Sequence, residues 1–371
     1  MSSDAALIYD DACRAAGTPP LDAVLDAFAF APLGVLDARR ARVQDADCAA
    51  LGETVLAAGI TALHASHNAI GDAGVVALVD GARCEALSTV DLSHNELGPA
   101  GGAALCAALG AAPALYDLCV DGNPLGEAGG EALAALVGAS GSLASLRAAR
   151  CELGQGACVA LASALERTAT LRVLDVSDTR TFSRNEETLS HFARALRGNA
   201  SLERLVLRKH AGMSDTGVER LCDAILDNAT LRELDVSVNA LGPPAGSALA
   251  AMLADGGALA VLQIAHCALG DAGVGALAAV LARPAGCALR VLDVRYNGAG
   301  DAGVAALAAA LAAPACALES LLVWGNPGLQ SRGAGAAAWG AALETGAVRA
   351  LTDVRAYRVD GEVHTALEQA A

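Results

Sequence analysis

From about residue 33 onward the chain alternates between two hydrophobic periods. Segments such as Ile60-x-x-Leu63-x-Ala65-x-x-Asn68-x-Ile70 carry apolar residues at every second position, as a half-buried strand does. The residues that follow, Asp72 to Gly81, space their apolar side chains as a helix does and stop at a polar turn. The two-part unit returns at Leu87-x-x-Val90-x-Leu92-x-x-Asn95-x-Leu97 and at Leu115-x-x-Leu118-x-Val120-x-x-Asn123-x-Leu125. Its pivotal polar position falls at Ala41 (a degenerate first copy), Asn68, Asn95, Asn123, Cys151, Thr179, His210, Asn239, Cys267, Asn297 and Asn326. The steps between them are 27, 27, 28, 28, 28, 31, 29, 28, 30 and 29 residues. So regular a series is an internal repeat.

A strand, a turn and a helix repeated at this period have to stack side by side, because no single copy can bury its own apolar face. The predicted fold is therefore an α/β solenoid with a parallel sheet inside and helices outside. The helix layer is wider than the strand layer, so the stack should curve into a horseshoe. The pivotal Asn or Cys should point inward and satisfy backbone groups in the turn that leaves each strand. Thr179 and His210 depart from that pattern. Asp72, Asp271 and Asp301 sit where a helix begins and can cap its free N–H groups. Residues 1–32 read as a helical N-terminal cap of two short helices, the second near Leu21 to Phe28. Residues 33–347 read as about eleven repeats, and 348–371 as a degenerate repeat and C-terminal cap.

The L-x-x-L-x-L-x-x-(N/C)-x-L core resembles the ribonuclease-inhibitor subfamily of leucine-rich repeats. That group includes ribonuclease inhibitor, the Ran GTPase-activating protein and the repeat domains of NOD-like receptors. The resemblance covers residues 33 to 333. It implies a curved leucine-rich-repeat solenoid that binds another protein on its concave face, as a scaffold or inhibitor-like module. Two alternatives stay open. One is GTPase activation, although the chain lacks the long acidic tail of the Ran activator's family. The other is a structural part of a large assembly such as a ciliary axoneme, because Tyr9-x-x-x-Cys13 with Gly17 and Pro20 resembles the start of leucine-rich-repeat proteins of cilia.

Composition narrows the partner. Hydrophobic residues make up 54% of the chain but aromatics only 3%, which suits thin stacked layers. The net charge of −16 argues against nucleic acid, since phosphate binding needs a basic stripe, and favours a partner with a basic surface. The start of the chain has no basic and apolar leader pattern, and the uncharged stretch from Ala302 to Ala317 stays in register with the repeat, so no membrane association is expected. Eleven cysteines outside any CxxC pairing read as reduced, mostly buried thiols, and the expected compartment is the cytoplasm, with a cilium as the alternative. Sequons at Asn199 and Asn228 are incidental in that setting.

The candidate binding residues are those that break the consensus on the strand face. An acidic ladder there includes Asp235 and Asp293, which a basic ligand could read. Arg147, Arg150, Arg204, Arg208 and Lys209, the only lysine, form the basic exceptions. They suit an acidic loop of a partner, or internal pairing with neighbouring Asp residues. Arg295, Tyr296 and Trp324 combine the residue types that dominate interface hot spots. Trp324 could equally cover the end of the last layers. The irregular segment 179–187, with a phosphorylatable Ser183, reads as a tolerated insertion or a partner contact. His67, His94 and His266 share one exposed position just before the pivotal residue, in layers expected to be well separated. No nucleophile elbow, Walker motif or paired zinc signature occurs, so the reading is a non-enzyme with no cofactor and no metal.

Overall fold

The computed structural model describes residues 2–82, 84–180, 186–283, 287–330, 333–344, 351–359 and 362–367. They fall into two compact units, Met1–Thr181 and Phe182–Ala371. Ser183 and most of the irregular insertion lie outside the described residues.

The first unit opens with helices α1 (Ser2–Ala16) and α2 (Asp22–Phe30). Tyr9 and Cys13 are buried at their junction, the Tyr9 ring packs against Phe28 at 6.2 Å, and the Tyr9 hydroxyl accepts the Leu21 N–H at 3.3 Å. The Tyr9-x-x-x-Cys13 pattern is thus the core of this helix pair. Strands and helices then alternate: β1 (Val35–Asp37), α3 (Cys48–Ala57), β2 (Ala62–His64), α4 (Asp72–Ala82), β3 (Thr89–Asp91), α5 (Pro99–Leu109), β4 (Asp117–Cys119), α6 (Gly126–Ala139), β5 (Ser145–Arg147), α7 (Gln155–Leu165) and β6 (Val173–Asp175). Successive strands pair in parallel, each in register with the next: Leu36 faces Leu63, Leu63 faces Val90, and so on to Leu146 and Leu174. These central residues are buried, while their neighbours along each strand face the other side of the sheet.

The second unit repeats the scheme with α8 (Glu187–Gly198), β7 (Arg204–Val206), α9 (Asp215–Leu226), β8 (Glu233–Asp235), α10 (Pro243–Ala254), β9 (Val261–Gln263), α11 (Gly270–Leu281), β10 (Val291–Asp293), α12 (Asp301–Ala312), β11 (Ser320–Leu322), the short α13 (Pro327–Gln330) and α14 (Ala334–Glu344). Strands β7 to β11 pair in parallel, and β12 (Leu351–Thr352) adds to β11. An antiparallel hairpin, β13 (Val354–Val359) and β14 (Glu362–Leu367), follows. Asp353 receives the N–H groups of Val323 and Trp324, which a further strand's carbonyls would otherwise take. Among the described residues no helix is long and apolar enough to cross a membrane.

The pivotal residues build a ladder from repeat to repeat. Asn95 donates from Nδ2 to the carbonyls of Leu92 and Ala65 at 3.0 and 2.9 Å, and its Oδ1 accepts the Ile70 N–H. Asn123, Asn239, Asn297 and Asn326 bind the preceding repeat in the same way. Cys151 and Cys267 keep half of the function: each thiol donates to the preceding repeat's carbonyl, at 3.0 and 3.3 Å. Burial pushes both thiols up, to about 12 and about 11, so they stay protonated. His210 and Thr179 fail to continue the pattern. Both ring nitrogens of His210 and the Thr179 hydroxyl are buried without a hydrogen bond to any described residue. Asn199 and Asn228, at the two sequons, are buried turn residues whose Oδ1 atoms accept two backbone N–H groups each.

The expected caps work one repeat further on. Asp72 Oδ1 accepts the N–H of Gly98 (2.7 Å), ahead of α5 rather than α4. Asp271 likewise serves Gly303 in α12, and Asp301 serves Ala334 and Gly335 in α14. The approach needs glycine opposite: a Cβ at Gly101 would come within 2.4 Å of Asp72 Oδ1. These contacts add a polar seam to the apolar one, stapling helix to helix across successive layers.

Candidate functional site

The turn that leaves each strand forces the residue before the pivotal position into the left-handed region. Arg40, His67, His94, Arg150 and Asp178 in the first unit, and Lys209, Val238, His266 and Tyr296 in the second, all have φ between 51° and 62°. Gly122 and Gly325 fill the same position at φ 70° and 82°. A shared backbone conformation lines their side chains up along the strand face, so neighbouring rings can stack.

Two stacks result. In the first unit His67 and His94 lie 4.3 Å apart at 10°. Histidines expected in separate layers are therefore in contact, because their repeats are consecutive. Arg150 reaches past Gly122 to bring Nη2 within 3.2 Å of His94 Nε2. Burial, with the charge of His67 and Arg150, holds the His94 ring below the usual histidine range. In the second unit His266 and Tyr296 stack at 4.4 Å and 12°. The Tyr296 ring lies over Gly325, where a Cβ would come within 2.3 Å of it, yet 46% of Tyr296 remains exposed. No group of three or more metal-ligating side chains gathers among the described residues.

The second stack forms one wall of a pocket of about 230 Å³ on the strand face, spanning β7 to β11. Arg208, Ser237, Gln263, Ala265, His266, Asp293, Arg295, Tyr296 and Leu322 line it. Arg208, Ser237, Ala265 and Arg295 occupy the same repeat position on four successive strands. Two small side chains thus form a floor between two arginines. The pocket is written into the repeat as a large–small–small–large sequence across strands.

The structure brings together four of the predicted residues, Arg208, Asp293, Arg295 and Tyr296. Trp324 is half-buried on the next repeat, its N–H bonded to Asp353 and its carbonyl to the Tyr296 N–H, outside the pocket lining. The acidic ladder is largely spent internally. Asp293 is only 5% exposed and holds Arg295 through Nε and Nη2 at 3.0 and 2.7 Å, while Asp235 is buried and accepts the Ser237 N–H. The Asp293 carboxylate also raises the affinity of the Arg295 guanidinium for its proton. Asp91 and Asp175 turn back on Ser93 and Ser177 in the same way. Among the basic candidates, Arg147 pairs with Asp117 at 3.1 Å and Arg204 with Glu233 at 3.3 Å, both at the surface. Arg150 belongs to the histidine stack, and Lys209 is exposed beside Arg208. Sequence reasoning missed Ser237, Gln263, Ala265, His266 and Leu322 as pocket residues. The signal was the paired small residues between two arginines at one repeat position.

A family model described as Leucine Rich repeat matches residues 60–79, 84–106, 227–250, 259–278 and 287–308. The chain therefore carries leucine-rich repeats in both units. No curated protein matches its sequence. Among solved structures, the yeast Rad7 and Elc1 complex matches with a TM-score of 0.50 and 14% identity, over 91% of this chain and 72% of that chain. The Leiomodin-1 Actin-Binding Site 2 matches with a TM-score of 0.33 and 14% identity, over 38% of this chain and 81% of that chain. At 14% identity the Rad7 and Elc1 likeness shows the fold.

Proposed function

We propose that these leucine-rich repeats are of the ribonuclease-inhibitor type and that the chain is a binding module, docking a partner protein on the strand face of its second unit. The observation that carries this reading is the exposed Tyr296–His266 stack at the rim of a pocket walled by Arg208 and Arg295. An exposed tyrosine beside arginines supplies large contact area with little loss of rotamer freedom on binding. Around it, Asp235 accepts the Ser237 N–H and Arg204 is paired with Glu233, as polar groups in a rim around a hot spot are. Repeats in which a full helix returns between strands every 27 to 31 residues support the ribonuclease-inhibitor type. Solenoids present such extended faces to other proteins, and the arrangement needs no bound cofactor.

The test is affinity capture from native extract with wild type and the triple variant Arg295→Ala, Tyr296→Ala, Trp324→Ala, each checked for an unchanged circular dichroism spectrum. Partners retained by wild type and lost from the variant are expected. Identical partner sets would move the docking surface off this face.

A further inference from the structure

We infer that the second-unit pocket is a carboxylate site, which takes a glutamate or aspartate side chain projected by the partner protein. The inference rests on the docking reading above and gives it a chemistry. Its basis is an imbalance between donors and acceptors. The pocket's one carboxylate, Asp293, is buried and consumed by Arg295, which meets it through two guanidinium nitrogens. That pair contributes no net charge. Arg208, on the opposite wall, makes no side-chain ion pair or hydrogen bond to any described residue. The Gln263 carboxamide at the end of β9 has no hydrogen-bond partner among the described residues either. On the floor, Ser237 Oγ accepts the Ala265 N–H at 3.1 Å, which leaves its hydroxyl proton to donate.

The cavity therefore offers a full positive charge, a hydroxyl and a carboxamide free to turn its amide hydrogens inward, while its one carboxylate is already used. An occupant must bring acceptors and a negative charge, and a carboxylate meets a guanidinium fork in two parallel hydrogen bonds. Leu322 and the Tyr296 ring give the methylene stem apolar surface to lie against. The setting adds selectivity. The whole chain carries −16, so a broadly acidic surface is repelled at long range. The favoured partner presents an isolated acidic residue within a neutral or basic surface.

The experiment is a titration of the full chain, labelled with ¹⁵N, with N-acetyl-glutamate amide, and separately with N-acetyl-glutamine amide and N-acetyl-phosphoserine amide. Two signals are followed: the Arg208 Nε–H, assigned by its loss in Arg208→Lys, and the Ala265 backbone N–H on the floor. Both should move saturably with the glutamate compound and at least tenfold more weakly with the glutamine compound, and the response of Ala265 should vanish in Arg208→Gln. Two silent signals, or equal responses to the glutamate and glutamine compounds, would overturn the carboxylate assignment. Tighter binding of the phosphoserine compound would overturn it in favour of a phosphorylated partner. The docking reading fails separately. If Arg208 stays silent while the triple variant loses partners, only the carboxylate assignment falls. If Arg208 responds while the triple variant keeps its partners, the pocket stands and the docking reading falls.

Discussion

Asp72 caps the approach to a helix that is not its own: its Oδ1 accepts the N–H of Gly98, 26 residues further along the chain, at 2.7 Å. One side chain thereby ties the start of one repeat's helix to the next. Replacing it with alanine removes an acceptor that no other described side chain supplies. The expected loss is about 1 kcal/mol, the usual cost of deleting a cap. Asp72→Asn, which keeps an oxygen in place, should lose less. Urea unfolding of the two variants checks this, and equal stabilities for wild type and Asp72→Ala would show that the seam contributes nothing.

Asn123 ties three backbone groups of two repeats with one side chain, through Leu92, Val120 and Leu97. Asn123→Ala leaves those buried groups unpaired and should destabilise by roughly 2–3 kcal/mol. Asn123→Cys should recover part of it, because Cys151 shows that a thiol keeps the bond to the preceding repeat's carbonyl. Cysteine no better than alanine would contradict that reading of the Cys positions.

His210 stands where the ladder has asparagine in Asn239 and Asn297. Burial lowers its ring to about 4, from an ordinary 6.5. Between those values the unfolded chain takes up a proton that the folded chain refuses. Stability is therefore complete above pH 6.5 and is lost as the pH falls toward 4, by roughly 3 kcal/mol. In His210→Asn, whose Nδ2 can donate to the Leu207 carbonyl, that component should be absent. The measurement is the urea midpoint of both proteins between pH 7 and 4.5; parallel curves would dismiss the effect.

Val238 is a β-branched residue held at φ 61°, a conformation that crowds its Cβ against the backbone. Val238→Gly should raise stability by about 1 kcal/mol, the relief of strain outweighing the added chain entropy. A lower thermal midpoint for the glycine variant would mean that the valine side chain contributes more than its strain costs.

The repeat, its strand and helix halves, and the inward role of Asn68, Asn95 or Cys267 were legible because they follow from spacing alone. What was not legible depends on contacts between copies. Asp72 reads as an ordinary cap until the offset between layers aims it at Gly98. Asp235 and Asp293 read as an exposed ladder, although their side chains fold back onto Ser237 and Arg295 two residues on. His67 and His94 look distant at 27 residues apart, and only the left-handed turn common to both brings the rings together. The pocket was half visible. Its arginines and Tyr296 break the consensus, whereas Ser237 and Ala265 matter for being small, which no consensus flags.

The most direct measurement places a photo-reactive p-benzoylphenylalanine at Tyr296, and in a second preparation at Leu226, an exposed residue at the end of α9 in the helix layer. Both proteins are irradiated in native extract and probed for covalent adducts. An adduct with a partner from position 296, and none from 226, is the expected result. Adducts from 226 alone would place docking on the helices and contradict the strand-face reading.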